Sequence, residues 1–513
     1  MNSSARNRKS APLRVAFLSP DCVATQSNGT TTYLTRIARA LQLAGHEAEI
    51  FCVSHLEPSS YDLYGIRVHS VRAADPPLVG RLRTRADRLT NDGLSTLLRS
   101  VVGAWALSRR LEEEERSRGP FDVVHGIDEG LTGLFVRRRT ERPLMTFCQY
   151  DRRLWRQTEG ERFGLADRWL ARLIRTSIGR ADIVYAHSQF LSAHLLSRYG
   201  IRADVLRPPV FMERVPTQQK PLDVPERYLV HFGLLGRRKG TDIVAEALPL
   251  AWRDEPGIRM VWAGTMRTDP AVVMTRYRQL WGGLADSVSW LGPLRKPTLY
   301  QLVKGAVASV LPSRADNLPN TVSESLVLGV PVIAFRGASV DEMIDSGVSG
   351  ELVPDGDVSA MAAAMVRAWR GDIRWVGQSA MMAETAPAIA AANFLRLAGF
   401  DDAEIGYPAA GPRRSAEPDQ LRLCAVHPPS TRLGQGFNVQ PNGVSVFAIE
   451  CEHAGPWSTV MCDGQPLETT FGSPALITAI VPPGLLERAG AHHVHVADEV
   501  RGASNAVDFI VEP

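Results

Sequence analysis

The chain has 513 residues, 44% hydrophobic and 22% charged, an ordinary globular balance that excludes a disordered or fibrous class and leaves room for more than one core. The net charge of +3 hides an asymmetry: residues 1–215 hold 33 Lys+Arg against 23 Asp+Glu, and the remainder holds 25 against 32. No run of about 18 apolar residues occurs and the basic N-terminus lacks the apolar stretch of a signal peptide, so the expectation is a cytoplasmic protein, peripheral on the inner membrane face.

Arg14–Leu18 reads as a short apolar strand, followed by a polar loop and a helix over 30–44 whose Leu34, Ile37, Ala38 and Leu41 form one buried stripe. Gly45 closes that helix and Glu47–Val53 forms the next strand, which makes a βαβ unit and predicts a parallel sheet. Further strands are expected at 122–125, 143–147 and 181–186, the last leading into a helix over 188–199. Breaks at Pro208-Pro209 and over 217–225 suggest a hinge. The pattern then restarts with a strand at 228–232, a glycine-bearing basic loop at 233–240 and a helix over 241–250. Strands at 260–263, 288–291, 308–311 and 330–335 follow.

Residues 401–420 are polar, rich in Pro, Gly and Ala and without period, as in a linker. Beyond them, short alternating runs such as Val444–Ile449, with turns at Asn442-Gly443 and Asp463-Gly464, predict a β-sandwich. The expected organisation is a tail at 1–12, α/β lobes at 13–215 and 216–400, a linker at 401–420 and an all-β domain at 421–513.

The six cysteines, at 22, 52, 148, 424, 451 and 462, form no CxxC pair and no Cys/His cluster at zinc spacing. Reduced thiols are expected, with Cys451 and Cys462 the pair to test for a disulfide. The basic surplus is mostly arginine, including Arg81, Arg83, Arg85, Arg88 and Arg137–Arg139. It reads either as a solvated face or as a surface for anionic lipid or a phosphorylated acceptor. No aromatic residues interleave it, so nucleic acid is not the expected partner.

The most informative stretch is Pro312–Leu326. It leaves a strand at Leu311 and enters a helix near Val322, so it lies at the C-terminal edge of a parallel sheet, where ligands bind and helix N-termini favour phosphate. Asp316 and Glu324 can each accept hydrogen bonds from vicinal hydroxyls. Local readings compete: Thr321–Glu324 has the form of a capping box, and Asp316-Asn317 that of an Asx-turn.

Asp316, seven residues, Glu324 and then Leu328-Gly329-Val330-Pro331-Val332 resemble the donor-site signature of the retaining GT-B glycosyltransferases of family GT4. Phe232–Gly240 resembles that family's diphosphate loop. Lys239 matches directly, Leu234 stands where the family has arginine, and Arg237 or Arg238 would replace that charge. Gly29, after Asn28, matches one glycine of the family's first loop. In place of the family's Thr-x-His-Asp motif the chain reads Thr146–Asp151, so Gln149, Tyr150 or Asp151 would take the histidine's part. His125 and His187, near strand ends, read as structural histidines, with His125 kept as an acceptor-side candidate. The tail, with Asp463–Leu467 and Ser504–Phe509, resembles IPT/TIG-type immunoglobulin-like domains.

The resemblance implies two Rossmann-like lobes (GT-B) facing a cleft, followed by an Ig-like sandwich. It implies transfer, with retention, from a UDP or GDP sugar to a hydroxyl on a glycan or lipid-linked acceptor, in polysaccharide or glycoconjugate synthesis, with no cofactor and no metal. Asp316 and Lys239 would be catalytic. Gly29, Arg237, Arg238, Lys239, Asp316, Asn317, Asn320, Thr321 and Glu324 would bind donor. Asn28, His125 and Asp151 would serve the acceptor side. The alternative is a catalytically degenerate platform or carbohydrate-binding protein.

Overall fold

A computed structural model describes residues 12–23, 28–54, 58–63, 65–72, 93–211, 223–266, 268–294, 296–400, 420–440, 444–455, 458–498 and 502–513. The expected tail but for Pro12, Arg81–Arg88, most of the hinge over 217–225 and nearly all of the linker lie outside these residues. The described chain forms two compact units, one of residues 93–105 and 122–400, the other of 12–72, 106–121 and 420–513.

In the second unit, β1 (Arg14–Ser19), β2 (Glu47–Ser54), β3 (Ser59–Leu63) and β4 (Ile66–Arg72) run in the order β3-β4-β2-β1. β1, β2 and β4 are parallel and β3 is antiparallel. The helix Gly29–Leu43 connects β1 to β2, with Gly45 left-handed beyond its end. Asn28 caps it in an extended conformation and accepts from the Thr31 N–H.

In the first unit, β5 (Val123–Ile127), β6 (Leu144–Cys148), β7 (Ile183–Ala186) and β8 (Asp204–Val205) are parallel neighbours in that order. After them come β9 (Leu229–Phe232), β10 (Met260–Ala263), β11 (Val288–Trp290), β12 (Ser309–Val310), β13 (Val332–Phe335) and β14 (Gly350–Val353). Their order is β11-β10-β9-β12-β13-β14, all parallel. Counted from β9, that is 3-2-1-4-5-6, the doubly wound order whose direction reverses between β9 and β12.

Strand alternation builds both faces of this sheet. Leu229, Met260, Trp262, Val310, Ile333 and Phe335 point into a core covered by the helices Thr241–Asp254 and Val358–Arg370. Val230, Phe232, Val261, Ala263, Val332 and Ala334 point into the opposite core, which holds Leu302, Val322 and Leu326. Burial on both faces explains why β10 and β13 are continuous apolar runs and why β9 is apolar but for His231.

Residues 420–513 form two further sheets: β15 (Arg422–His427), β17 (Ser445–Glu452), β21 (Leu476–Val481) and β20 (Thr469–Ser473); and β16 (Ser430–Arg432), β24 (Val507–Glu512), β22 (Gly490–Asp498), β18 (Thr459–Cys462) and β19 (Gln465–Pro466), with β23 (Gly502–Ala503) on β22. Apart from the parallel β16–β24 pair, the strands of these sheets pair antiparallel. Phe447 of β17 meets Phe509 of β24 edge-on at 4.8 Å, with Phe437 beside both, so the sheets share an aromatic core. The turn expected at Asn442-Gly443 lies outside the described residues. None of the six cysteines is in a disulfide, so the Cys451–Cys462 disulfide does not form.

Candidate active site

The strand reversal puts two loops side by side, one after β9 and one after β12. The first depends on glycine: a Cβ at Gly240, at φ +74°, would lie 2.1 Å from the Pro312 carbonyl oxygen. A Cβ at Gly264, at φ +131°, would lie 1.9 Å from that of Gly233. Buried His231 ties this loop to the sheet. Its Nδ1–H donates to the Val310 carbonyl at 2.7 Å, so its Nε2 accepts from Thr241 Oγ1 at 2.9 Å, and that oxygen accepts the Gly236 N–H. Burial pulls His231 down to about 4, so it stays neutral at pH 7.

The fixed loop brings Lys239 Nζ onto Asp316 Oδ2. Arg238 lies 3.6 Å from the same oxygen, donates to the Ala315 carbonyl at 3.2 Å and stacks 3.8 Å over Trp155. Arg237 is exposed, so of the two arginines expected near the diphosphate, the structure places Arg238 against the acid. Burial lowers the Lys239 ammonium below its ordinary range, partly offset by Asp316. Burial alone would raise Asp316, but Lys239 and Arg238 outweigh it and hold the carboxyl below its ordinary range.

Glu324 is almost fully buried and accepts from Lys296 Nζ. The capping box does not form: the helix is Asn320–Val327, Pro319 stands at its cap, and Glu324 is its fifth residue. The Asp316-Asn317 turn does not form either: the Leu318 N–H, two residues beyond Asp316, bonds to Ser339 Oγ, and the Asp316 carboxylate carries the lysine. Asn320 and Thr321 open the helix, and a Cβ at Gly233 would lie 3.0 Å from Thr321 Cγ2. The turn around Asp316 is strained: Leu318, Ala338 and Ser339 all have positive φ. Ser339 Oγ accepts the Leu318 N–H at 2.8 Å and donates to the Asp316 carbonyl at 3.2 Å, which over-determines that backbone.

Asn317 reaches the β5–β8 half of its unit. Its amide donates to the Gln149 carbonyl at 3.0 Å and accepts from Ser188 Oγ at 2.8 Å. Glu342 accepts the N–H groups of Gln189 and Phe190 and pairs with Arg207 at 2.7 Å. The acceptor-side candidates Asp151 and His125 hold contacts of their own. Asp151 caps the helix Arg152–Glu159 and accepts from His194 at 2.6 Å and Tyr199 at 2.9 Å. His125 is fully buried, bonds Tyr185 Oη at 2.6 Å and is pulled by burial to about 3, while burial takes His187 well below its usual value. Tyr150 donates to Glu129. Asn28 and Gly29 belong to the other compact unit.

Sequence reasoning missed Lys296, His231, Ser188, Glu342 and Asp128. The last, buried beneath the Gln149 N–H at 3.1 Å, is pushed by burial to about 7. Only Lys296 and Asp128 had a legible signal, a charged residue at the start of a helix or the end of a strand.

A doubly wound sheet with two acids and two lysines at its switch point, joined to a second parallel sheet, defines a nucleotide-sugar-dependent glycosyltransferase of GT-B architecture once the comparisons with known proteins are added. The chain carries the domains described as "Glycosyltransferase Family 4" over residues 27–213 and "Glycosyl transferases group 1" over 226–370. It is 24% identical over 393 residues to the D-inositol 3-phosphate glycosyltransferase of Acidothermus cellulolyticus, covering 69% of this chain and 82% of that protein. In fold it is similar to the sucrose-phosphate synthase of Thermosynechococcus elongatus, with a TM-score of 0.54 at 17% identity, covering 75% of this chain and 94% of the other. It is also similar in fold to HepE of Anabaena, solved with UDP-glucose, with a TM-score of 0.51 at 17% identity, covering 77% and 97%. The chain transfers sugar from a nucleotide sugar to an acceptor in glycoconjugate or polysaccharide synthesis.

Proposed function

We propose that the donor is a UDP or GDP sugar seated over the β9–β12 switch point, that the anomeric configuration is retained, and that Asp316 orients the transferred sugar while Glu324 holds the ribose. The observation that carries this reading is that each acid is held by a lysine, Lys239 or Lys296, beside the first turn of the helix Asn320–Val327. A donor's hydroxyls replace the lysine contacts on the acids, and the released ammonium groups turn to the diphosphate. Arg238 and the helix N-terminus add to the stabilisation of the departing nucleotide, so this reading assigns the reaction no metal. Asn320 and Thr321 complete the donor contacts, with exposed Arg237 at their rim. The test is a thermal-shift screen of UDP, GDP and ADP sugars, since a ligand bound by the native state raises stability by mass action. UDP or GDP sugars should stabilise the wild type and fail to stabilise Glu324→Gln. Equal shifts in both proteins would remove Glu324 from the donor site.

A glycan or lipid-linked acceptor at an anionic membrane is favoured by a separate observation. The helix Leu165–Ile178 exposes Leu165 at 73% and Trp169 at 62% beside exposed Arg168 and Arg172. Apolar rings flanked by cations suit the headgroup boundary of an anionic bilayer. No helix of the described residues is long and apolar enough to cross a membrane. Co-sedimentation with phosphatidylglycerol vesicles, absent with phosphatidylcholine vesicles and lost in Trp169→Ala, is the expected result. For the C-terminal domain, an IPT/TIG-type binding or spacing role is the corresponding reading.

A further inference from the structure

We propose that Cys462, Asp463 and His492, in the C-terminal β domain, form a zinc-binding site. Asp463 and Gly464 are both left-handed, at φ +48° and +76°, as the two-residue turn joining β18 to β19 requires. That turn swings the Asp463 carboxylate back over β22. One oxygen accepts the His493 N–H at 2.8 Å, and the other lies 2.7 Å from His492 Nδ1.

The far side of the imidazole fixes its chemistry. His492 Nε2 lies 3.1 Å from the Arg488 carbonyl, which only accepts, so Nε2 carries a hydrogen. A neutral ring then presents the Nδ1 lone pair to a carboxylate oxygen. Two acceptors that close need a cation between them, either a proton or a metal ion. The third donor is the buried Cys462 sulfur: one ligand atom from each of the three residues lies within 4.8 Å of the others. Nitrogen, oxygen and thiolate donors suit zinc, whose bonds of roughly 2.0–2.3 Å are reached here by small rotations of Asp463 and Cys462. The Nε2–H bond to a backbone carbonyl is the outer contact that orients metal-ligating histidines. Asp463 is 47% exposed, which leaves a fourth position open to water.

A second cluster of the same tightness shows what a filled site looks like. Glu49, His69 and Glu114 also converge within 4.8 Å, but Arg14, Arg110 and Arg118 already supply cations to these carboxylates. Among the described residues, Asp463 pairs with no arginine or lysine. The three ligands are separated in sequence by up to 30 positions, so no compact zinc motif announces them.

The test uses the metal-stripped full chain, titrated with zinc against a chromophoric chelator and then with cobalt(II). The wild type should bind one equivalent of zinc, gain thermal stability with it, and show a sulfur-to-cobalt charge-transfer band. Cys462→Ser and His492→Gln should lose the band and weaken zinc binding by at least ~100-fold, while melting like metal-free wild type. Cys424→Ser, which removes the exposed thiol, should behave as wild type. Zinc binding that is absent, or unchanged in Cys462→Ser, would overturn the proposal and leave a proton-bridged Asp463–His492 pair.

Discussion

Two carboxylates in this molecule are held by cations in opposite ways. Glu49 receives Arg14 at 3.0 Å, Arg118 at 2.7 Å and His69 at 2.9 Å, and it is buried at both oxygens. Burial opposes its charge, but His69 and the arginines more than compensate and hold it at about 2. Asp316 has one lysine on one oxygen, a second cation at 3.6 Å, and a strained backbone behind it. A saturated acid stabilises a fold because no ligand competes for its lone pairs. On the proposed reading, an acid whose close contact is a lysine ammonium, at a sheet's switch point, exchanges that contact for a sugar hydroxyl.

The largest expected effect belongs to the saturated acid. Glu49→Gln leaves Arg14 and Arg118 facing a neutral amide in a buried site and should cost about 3–5 kcal/mol of stability. Thermal unfolding should move strongly while donor affinity stays close to wild type. A large loss of donor affinity with unchanged unfolding would break the contrast.

Acid should expose two buried neutral histidines, His125 and, beneath the loop after β9, His231. His125 at about 3 and His231 at about 4 lie below their unfolded value, so the unfolded chain takes up protons first as pH falls. Each contribution is complete above about pH 6.5 and is lost on acidification toward the folded pKa, about 2 kcal/mol per histidine at pH 5. Asp128, raised to about 7, works in the opposite direction, so the wild-type profile mixes signs. His231→Asn isolates one histidine: between pH 7 and pH 5 it should lose about 2 kcal/mol less stability than the wild type. Parallel profiles would show that His231 does not titrate this way.

Smaller effects sharpen the donor side. Lys296→Met should weaken nucleotide-sugar binding by about 1–2 kcal/mol, read by calorimetry, because one charge-assisted contact is lost. Arg237→Ala should change it by less than about 0.5 kcal/mol, since an exposed side chain contributes little. The reverse ranking would return the diphosphate to Arg237.

What the sequence made legible follows from distance along the chain. The strand at Leu229–Phe232, its glycine loop and the Asp316–Glu324 spacing are local patterns, and they were readable as such. Lys296 meets Glu324 across 28 residues, and Asn317 meets Gln149 across 168, so no periodicity announces either contact. The polar strand Ser59–Leu63 carried too few apolar positions to stand out. Glu324 shows the converse error of local reading: its capping-box spacing was present, but Pro319 took the cap and left the side chain for Lys296.

The central claim is that the exchangeable acid works in sugar transfer. Asp316→Asn, nearly isosteric, should lower donor turnover by about 2–4 kcal/mol of transition-state stabilisation, measured as kcat/KM with nucleotide sugar and a hydroxyl acceptor, while the unfolding temperature in the same sample stays near wild type. Unchanged turnover in Asp316→Asn would contradict the account.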